Sequence, residues 1–475
     1  MRYYQFPFDG PPAADIFAQF ADDPYALFFD SCDPGHDLSR CSYICVQPVE
    51  IIESFDHTVV VTNSEQQMTM SGNPFSVLKD RMEVWAPDQS NDNQINGMHR
   101  FRSGAAGYFG YDLGRSIERL PEHARRLDNI PDMAVGIYTF VMAFHHQADK
   151  NILYILSDTE EGARNRARYI FERIKSPVGN ARGNVSHSID IRPVTPKEEY
   201  KANIQKVIDY IHAGDIFQAN LSLRFEGKLP ASFDAYNHYL RLRELNKGPY
   251  AAFMNFNRLK VASVSPESFL SCYNGDVVTR PIKGTCPRVD EPGENIKAIE
   301  ALKADEKCRA ENAMIVDLLR NDLSRVCTDY SIEVPELCEV ESYARVNHMV
   351  STVKGKLRPD KHAIDLLQAS FPGGSITGAP KIRAMEIIEE LEPLRRGPYC
   401  GSIGFIDFQG NMETNIAIRT LVYTGESVYM NVGGGIVADS DPESEYDEVM
   451  AKASGLLASF GSGTEGHERE EAKRA

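Results

Sequence analysis

The chain has 475 residues, and its 51 lysines and arginines face 68 aspartates and glutamates, a net charge of −17. That balance excludes a general nucleic-acid binder, which needs a basic footprint, and adhesion to an anionic membrane. It leaves room for a small anionic substrate, and an apolar share of 42% supplies an ordinary globular core.

The first residues, Met1-Arg2-Tyr3-Tyr4-Gln5-Phe6-Pro7, lack the apolar stretch of a targeting signal. The longest apolar run, near Val135 to Phe144, is about half of the roughly 20 residues that span a bilayer. Nine cysteines without a C-x-x-C pair predict reduced thiols in a cytoplasmic protein. Val59 to Thr62 and Val135 to Phe144 read as strands, and the polar Asn91 to Met98 as an exposed loop. Ser176 to Arg192, rich in Ser, Gly and Asn, reads as a connector between residues 1–180 and the region 195–460. Thr195-Pro196 predicts a helix with Thr195 as N-cap and Pro196 at its first position, and Gly214 closes it. A strand is expected from Phe217 to Phe225, and helices over Glu311 to Val326 and Lys381 to Glu392. Ser402 to Phe408, Ile416 to Tyr423 and Val428 to Val432 read as strands, followed by a helix from Pro442 to Phe460. Residues 461–475 read as a disordered tail. Strands and helices mix without a regular βα alternation, so the class is α+β with antiparallel sheets.

Three motifs fail on inspection. Gly373 and Gly378 match P-loop spacing, but Ala379-Pro380 stands where Lys-Ser/Thr is required. Asp439 to Glu445 resembles a calcium loop, yet Ser444 replaces its glycine and Met450 its last carboxylate. His145 and His146 are adjacent, so in a strand they point to opposite faces.

Others survive. Phe371 to Lys381 is a glycine-rich run leading into a helix, which fits either an anion site or an ordinary helix start. The triplet Gly433-Gly434-Gly435 inside a strand suggests a bulge or a ligand lying against bare backbone. Glu445, Glu448 and Lys452 share one helix face, either a solvated salt-bridged surface or a place for a hard cation. Glu311 raises the same question at the opening of its helix. Lys283 lies in a turn-like segment sixteen residues after Glu267, and a hairpin of that length would join a nucleophile to a general acid.

Ser265-Pro-Glu267, Arg280-Pro-Ile-Lys-Gly-Thr285, Glu311 to Asp322, His348-Met-Val-Ser351, Phe371 to Lys381 and Gly433 to Ser440 occur in one order. Together they resemble the chorismate-utilising enzymes, the family of the anthranilate, aminodeoxychorismate, isochorismate and salicylate synthases. The resemblance implies a large two-sheet antiparallel sandwich with helices on the outside. It also implies Mg²⁺ on Glu311 and Glu448 with Glu445 behind them, and chorismate held by Arg419, Tyr399, the amides of Gly433, Gly434 and Gly435, Ser375, Thr285, His348 and Lys452. Lys283 would be the nucleophile and Glu267 the general acid. Lys283 stands where anthranilate-forming members usually carry Ala, and Gln218 where the isochorismate and salicylate branch carries a lysine. Both residues imply the branch that forms 4-amino-4-deoxychorismate for p-aminobenzoate and folate. The alternatives are anthranilate formation and a non-catalytic binding member. No Gly-x-Cys-x-Gly elbow is present, so ammonia is expected from a separate glutamine amidotransferase subunit. Ser31, Leu38, Ser39, Arg40 and Cys41, with Pro249, Tyr250 and Ala251, resemble the family's tryptophan pocket. The departures at Cys32 and Cys41 leave a purely packing role open.

Overall fold

A computed structural model describes residues 1–33, 39–88, 99–127, 129–148, 150–175, 188–289, 291–342 and 346–461. Among these residues two antiparallel sheets of twelve strands each face one another. One carries, in spatial order, Arg2–Phe8, Lys150–Ser157, Phe140–His145, Cys41–Cys45, Ala26–Asp30, Tyr250–Asn255, Leu259–Ser265, Thr420–Thr424, Ser427–Ile436, Gln218–Lys228 and Ile191–Pro193, with Gly378–Ala379 beside Gln218–Lys228. The other carries Ile282–Pro287, Val346–Lys356, Asp276–Thr279, Ser268–Tyr273, Met412–Asn415, Ser402–Asp407, Gly104–Phe109, Met133–Tyr138, Glu50–Phe55, Thr58–Asn63 and Gln67–Ser71, with Glu333–Ser342 beside Val346–Lys356.

Strand alternation sorts the apolar residues into layers. Leu27, Tyr43, Tyr108, Phe405 and Val422 fill the space between the sheets. Their chain neighbours Phe28, Ile44 and Leu421 point the other way, under helices Lys197–His212, Ala235–Leu245 and Pro442–Leu457. The period of two puts successive side chains on opposite faces, so both faces must be apolar when helices cover the outside. Met133–Tyr138 is accordingly buried at every position. Truncating an inter-sheet residue such as Leu27 to Ala would leave a cavity and cost about 2–5 kcal/mol.

The N-terminal region does not stand apart from residues 195–460. Ala26–Asp30 pairs with Tyr250–Asn255, and Gly104–Phe109 with Ser402–Asp407, so it completes both sheets.

Local details differ from expectation. The first helix of the C-terminal region starts at Lys197 with Pro196, not Thr195, in the cap position, where the ring's φ of −57° and a ψ of 149° hold it extended. Gly214, at φ 84°, follows that helix's end as foreseen. The helix bearing Glu311 begins five residues earlier, at Glu306, capped by the Asp305 side chain on the Cys308 amide. Its first turn is exposed and shows no apolar periodicity, and Glu311 lies inside the helix, not at its opening. The strand expected from Ile416 begins only at Thr420, because Arg419 adopts φ 50°. Ile191–Pro193, overlapping the end of the expected connector, is an edge strand. The rest of that connector from residue 176 to 187, the loop at 91–98, and residues 462–475 lie outside the described residues. All nine cysteines are free. Among the described residues no helix is long and apolar enough to cross a membrane.

Candidate active site

The cleft begins where one ladder stops. Thr420–Thr424 pairs with Ser427–Ile436 only as far as Leu421 opposite Met430, since Arg419 turns the chain away. On the other side Gln218–Lys228 continues in regular register, with Gly433 opposite Ser222, Gly434 opposite Leu221 and Gly435 opposite Asn220. The glycine triplet is therefore not a bulge. Its role is to leave space.

Over Gly434 lies the helix Pro442–Leu457. A Cβ on Gly434 would sit 3.3 Å from Glu445 Oε2 and 3.9 Å from both Glu448 Oε1 and Lys452 Nζ. The i,i+3 and i,i+4 spacing places the three heads on one face, as the sequence pattern required. Glu445 is buried, and its Oε1 accepts from the Ser440 hydroxyl at 2.6 Å. Lys452 Nζ lies 2.6 Å from Glu448 Oε1 and donates to the Gly433 carbonyl at 3.2 Å.

Over Gly435 the contacts are tighter. A Cβ there would fall 2.2 Å from Gln218 Nε2 and 3.5 Å from Lys283 Nζ. Gln218 is wholly buried, and neither polar atom of its amide has a protein partner. The hairpin Ser268–Tyr273/Asp276–Thr279 reverses the chain and returns Lys283 toward Glu267, which precedes it. The Ile282 amide donates to the Glu267 carboxylate, and Ser375 Oγ donates to Oε1 at 2.8 Å. Ser375, expected against the substrate, thus holds Glu267.

The electrostatics separate these two groups. Burial pushes the Glu267 carboxyl up to about 7, against the pull of Ser375 and Lys283. Burial pushes the Lys283 amine down, against Glu311 and Glu267. Near neutrality this favours a protonated acid beside an amine with reduced affinity for its proton. Burial also raises Glu311, which Lys283 and Lys307 oppose. Against the cost of its own burial, the Lys452 ammonium holds the Glu448 carboxyl below its usual range. Lys307 was not foreseen; its i,i+4 relation to Glu311 was the available signal.

The remaining predicted residues ring this centre. Thr285 Oγ1 and His348 Nδ1 lie 2.7 Å apart across a ladder pair, and His348 is buried. Tyr399 is buried in the turn before Cys400, with the Arg396 guanidinium 5.8 Å from its ring centre. Ala417 pairs with Cys400 and Gly401, and the Ile416 amide donates to the Glu267 carbonyl, which places this turn and the approach to Arg419 beside Glu267. Arg419 is half-buried, burial lowers its pKa, and among the described residues no carboxylate pairs with it.

Glu311, Glu445 and Glu448 offer hard oxygen donors, and the bare face of Gly434 leaves room beside the last two. Among the described residues no three His, Cys, Asp or Glu side chains converge tightly enough to cage an ion. Mg²⁺ keeps several waters and needs only one or two carboxylates, so this donor set fits it.

A second cavity opens between the sheets. Phe29, Ser31, Cys41, Pro249, Tyr250 and Ala251 line it, with Tyr43, Phe405 and Glu413 among the walls that the sequence had not marked. Ser39 is buried away from it, Arg40 is not among its walls, and Leu38 lies outside the described residues.

Residues 25–458 match the model of the chorismate binding enzyme family. The chain is 40% identical to aminodeoxychorismate synthase component 1 of Escherichia coli (strain K12), over 93% of its own length and 94% of that relative's. It is 37% identical to anthranilate synthase component 1 of Thermus thermophilus, over 91% and 92% of the two chains. Its fold matches anthranilate synthase component I from Streptococcus pneumoniae TIGR4 with a TM-score of 0.77 at 32% identity, covering 88% of this chain and 92% of that one.

Proposed function

The chain belongs to the chorismate binding enzyme family, and we propose that it converts chorismate and ammonia into 4-amino-4-deoxychorismate and water. The observation that carries this reading is the juxtaposition of buried Glu267 with half-buried Lys283, whose pKa values desolvation moves in opposite directions. The 40% identity to an aminodeoxychorismate synthase component 1 supports it.

In this reading the neutral Lys283 amine attacks ring C2. The two ring double bonds shift, and the C4–O bond breaks as protonated Glu267 delivers its proton to the departing hydroxyl, which leaves as water. Ammonia then adds at C4, the double bonds return, and the C2–N bond to Lys283 breaks. Two allylic displacements replace one substitution at a poor centre. Ser375 and the Ile282 amide hold Glu267 in place for its proton transfer. Arg419, free of acid partners among the described residues, holds one carboxylate of the substrate, with Tyr399 and the amides around Gly433 to Gly435. Thr285 and His348 line the ring-carboxylate end. Glu311 and Glu448 would hold Mg²⁺, which when bound supplies charge neutralisation for the ring carboxylate. Ammonia would come from a separate glutamine amidotransferase subunit, in keeping with the component 1 names of the relatives. The product would serve p-aminobenzoate and folate synthesis in the cytoplasm, and the inter-sheet cavity would take tryptophan.

Lys283→Ala is the test. Incubation with chorismate, Mg²⁺ and low ammonium, followed by an added lyase, should show p-aminobenzoate from the parent and little from the variant, with partial recovery at high ammonium. Undiminished product from the variant at low ammonium would sink the covalent step. A second reading, anthranilate formation, draws on the anthranilate synthase relatives, and anthranilate as the parent's product would replace our proposal with it.

A further inference from the structure

Lys452 already neutralises the carboxylate that a metal ion would need. Its Nζ lies 2.6 Å from Glu448 Oε1 and 3.2 Å from the Gly433 carbonyl oxygen. Glu448 Oε1 and Lys452 Nζ are equally far, 3.9 Å, from the Cβ position above Gly434, with Glu445 Oε2 3.3 Å from the same point. Ammonium and carboxylates thus share one space that a side chain at residue 434 would fill. A dication bonded to a carboxylate oxygen at about 2.0–2.1 Å would face the Lys452 ammonium across a few ångströms, and like charges at that distance repel strongly.

We propose that Lys452 is the resident counter-ion of the metal site: it neutralises Glu448 in the ligand-free enzyme, and a divalent cation takes Glu448 only by displacing it. The inference rests on the reading of Glu311 and Glu448 as metal-holding residues. Both partners make the exchange easy. The side chains of Lys452 and Glu448 are 47% and 55% exposed, so the long lysine stem can move off Glu448 without uncovering apolar core. Displaced from Glu448, the ammonium keeps the Gly433 carbonyl as an anchor, on the strand edge that Thr420–Thr424 leaves unpaired beyond Met430. A dianionic substrate then accepts the released charge. Metal and dicarboxylate therefore bind with positive coupling, and by linkage each raises the affinity for the other. Without substrate, the competing lysine keeps metal affinity low.

The test uses Mn²⁺ as the probe, titrated by electron paramagnetic resonance into the full-length protein without substrate. Lys452→Met and Lys452→Gln should each tighten Mn²⁺ binding by roughly three- to ten-fold, the range expected when an exposed i,i+4 pair and a nearby positive charge are both removed. Lys307→Met is the control, since Lys307 acts on Glu311 and Glu448 as a neighbouring charge. At about 1 M salt, where the Debye length is about 3 Å, the Lys307 effect should vanish and the Lys452 effect persist. Unchanged or weaker binding in the folded Lys452 variants would overturn the proposal. So would a Lys452 effect that disappears in salt together with that of Lys307. Glu448→Gln should weaken Mn²⁺ binding below that of the parent; if it binds as the parent does, the metal reading itself falls, a failure separable from that of the lysine exchange alone.

Discussion

Replacing Glu267 by Gln should abolish activity and at the same time stabilise the fold at alkaline pH. The carboxyl titrates at about 7 in the folded chain against an ordinary 4.5, and burial is the leading cause. Its folded pKa is raised, so between pH 4.5 and 7 the folded state holds a proton that the unfolded state has released. Stability must then fall as pH rises through that window. The difference is 7 − 4.5, about 2.5 pH units, and at 1.36 kcal/mol per unit the ionised form costs the fold about 3 kcal/mol at pH 8. Gln carries no charge to bury, but it offers one acceptor oxygen where the carboxylate had two, facing Ser375 Oγ and the Ile282 amide. A lost hydrogen bond gives back about 1 kcal/mol, which leaves a net gain of about 2 kcal/mol at pH 8 and a loss of about 1 kcal/mol at pH 4. Urea midpoints of parent and variant at pH 5 and pH 8, alongside the product assay, would measure it. Equal pH dependence in the two proteins, or a variant less stable at pH 8, would refute the reasoning that Glu267 is a carboxylic acid held against its own ionisation.

Gly435→Ala places a methyl 2.2 Å from Gln218 Nε2, deep beside Lys283; chorismate turnover should drop by at least about 100-fold while circular dichroism keeps the parent's strand signature. Arg419→Ala removes a guanidinium that has no acid partner among the described residues. The fold should therefore hold, and KM for chorismate should rise about 10- to 100-fold, as expected for a charge-assisted hydrogen bond of about 1.5–3 kcal/mol; steady-state kinetics would measure this.

The α+β class was legible in the mixed strand and helix periods, with Ile204, Val207 and Ile208 now under one helix face, whereas the two-sheet sandwich was legible only through the family resemblance, and the strand that turns Leu27 inward and Phe28 outward was not marked. Order along the chain also marked the residues that now meet at Glu267 and Lys283. What stayed hidden depended on backbone geometry or on distant partners. The left-handed φ of Arg419 leaves no local signature at a non-glycine residue, so the expected strand starts four residues before the observed one. The start of the Glu311 helix was hidden because Glu306, Lys307, Arg309 and Ala310 are exposed and only Cys308 is partly buried, so the turn carries no apolar beat. The grip of Ser375 on Glu267 joins residues 108 apart, which no local pattern encodes. The same holds for the walls of the inter-sheet cavity, where Phe29 and Phe405 meet from different sheets.

The net charge of −17 and an affinity for a dianion are compatible because the cleft keeps a local account of its own. With Glu267 protonated and Lys283 deprotonated, neither reacting group adds charge, which is the direction in which burial moves both. Around them Arg419, Lys452 and Lys307 face Glu311, Glu445 and Glu448, so the fixed charges cancel in number. A neutral cleft would hold a dicarboxylate poorly, and one with fixed excess positive charge would hold any passing anion. In the proposed function a dication gathered by the glutamates would supply the two positive charges that match the substrate's two carboxylates, and only while it is bound. On that proposal the acidic residues would set selectivity through what they recruit, with the Lys452–Glu448 pair neutralising the site until that recruitment happens.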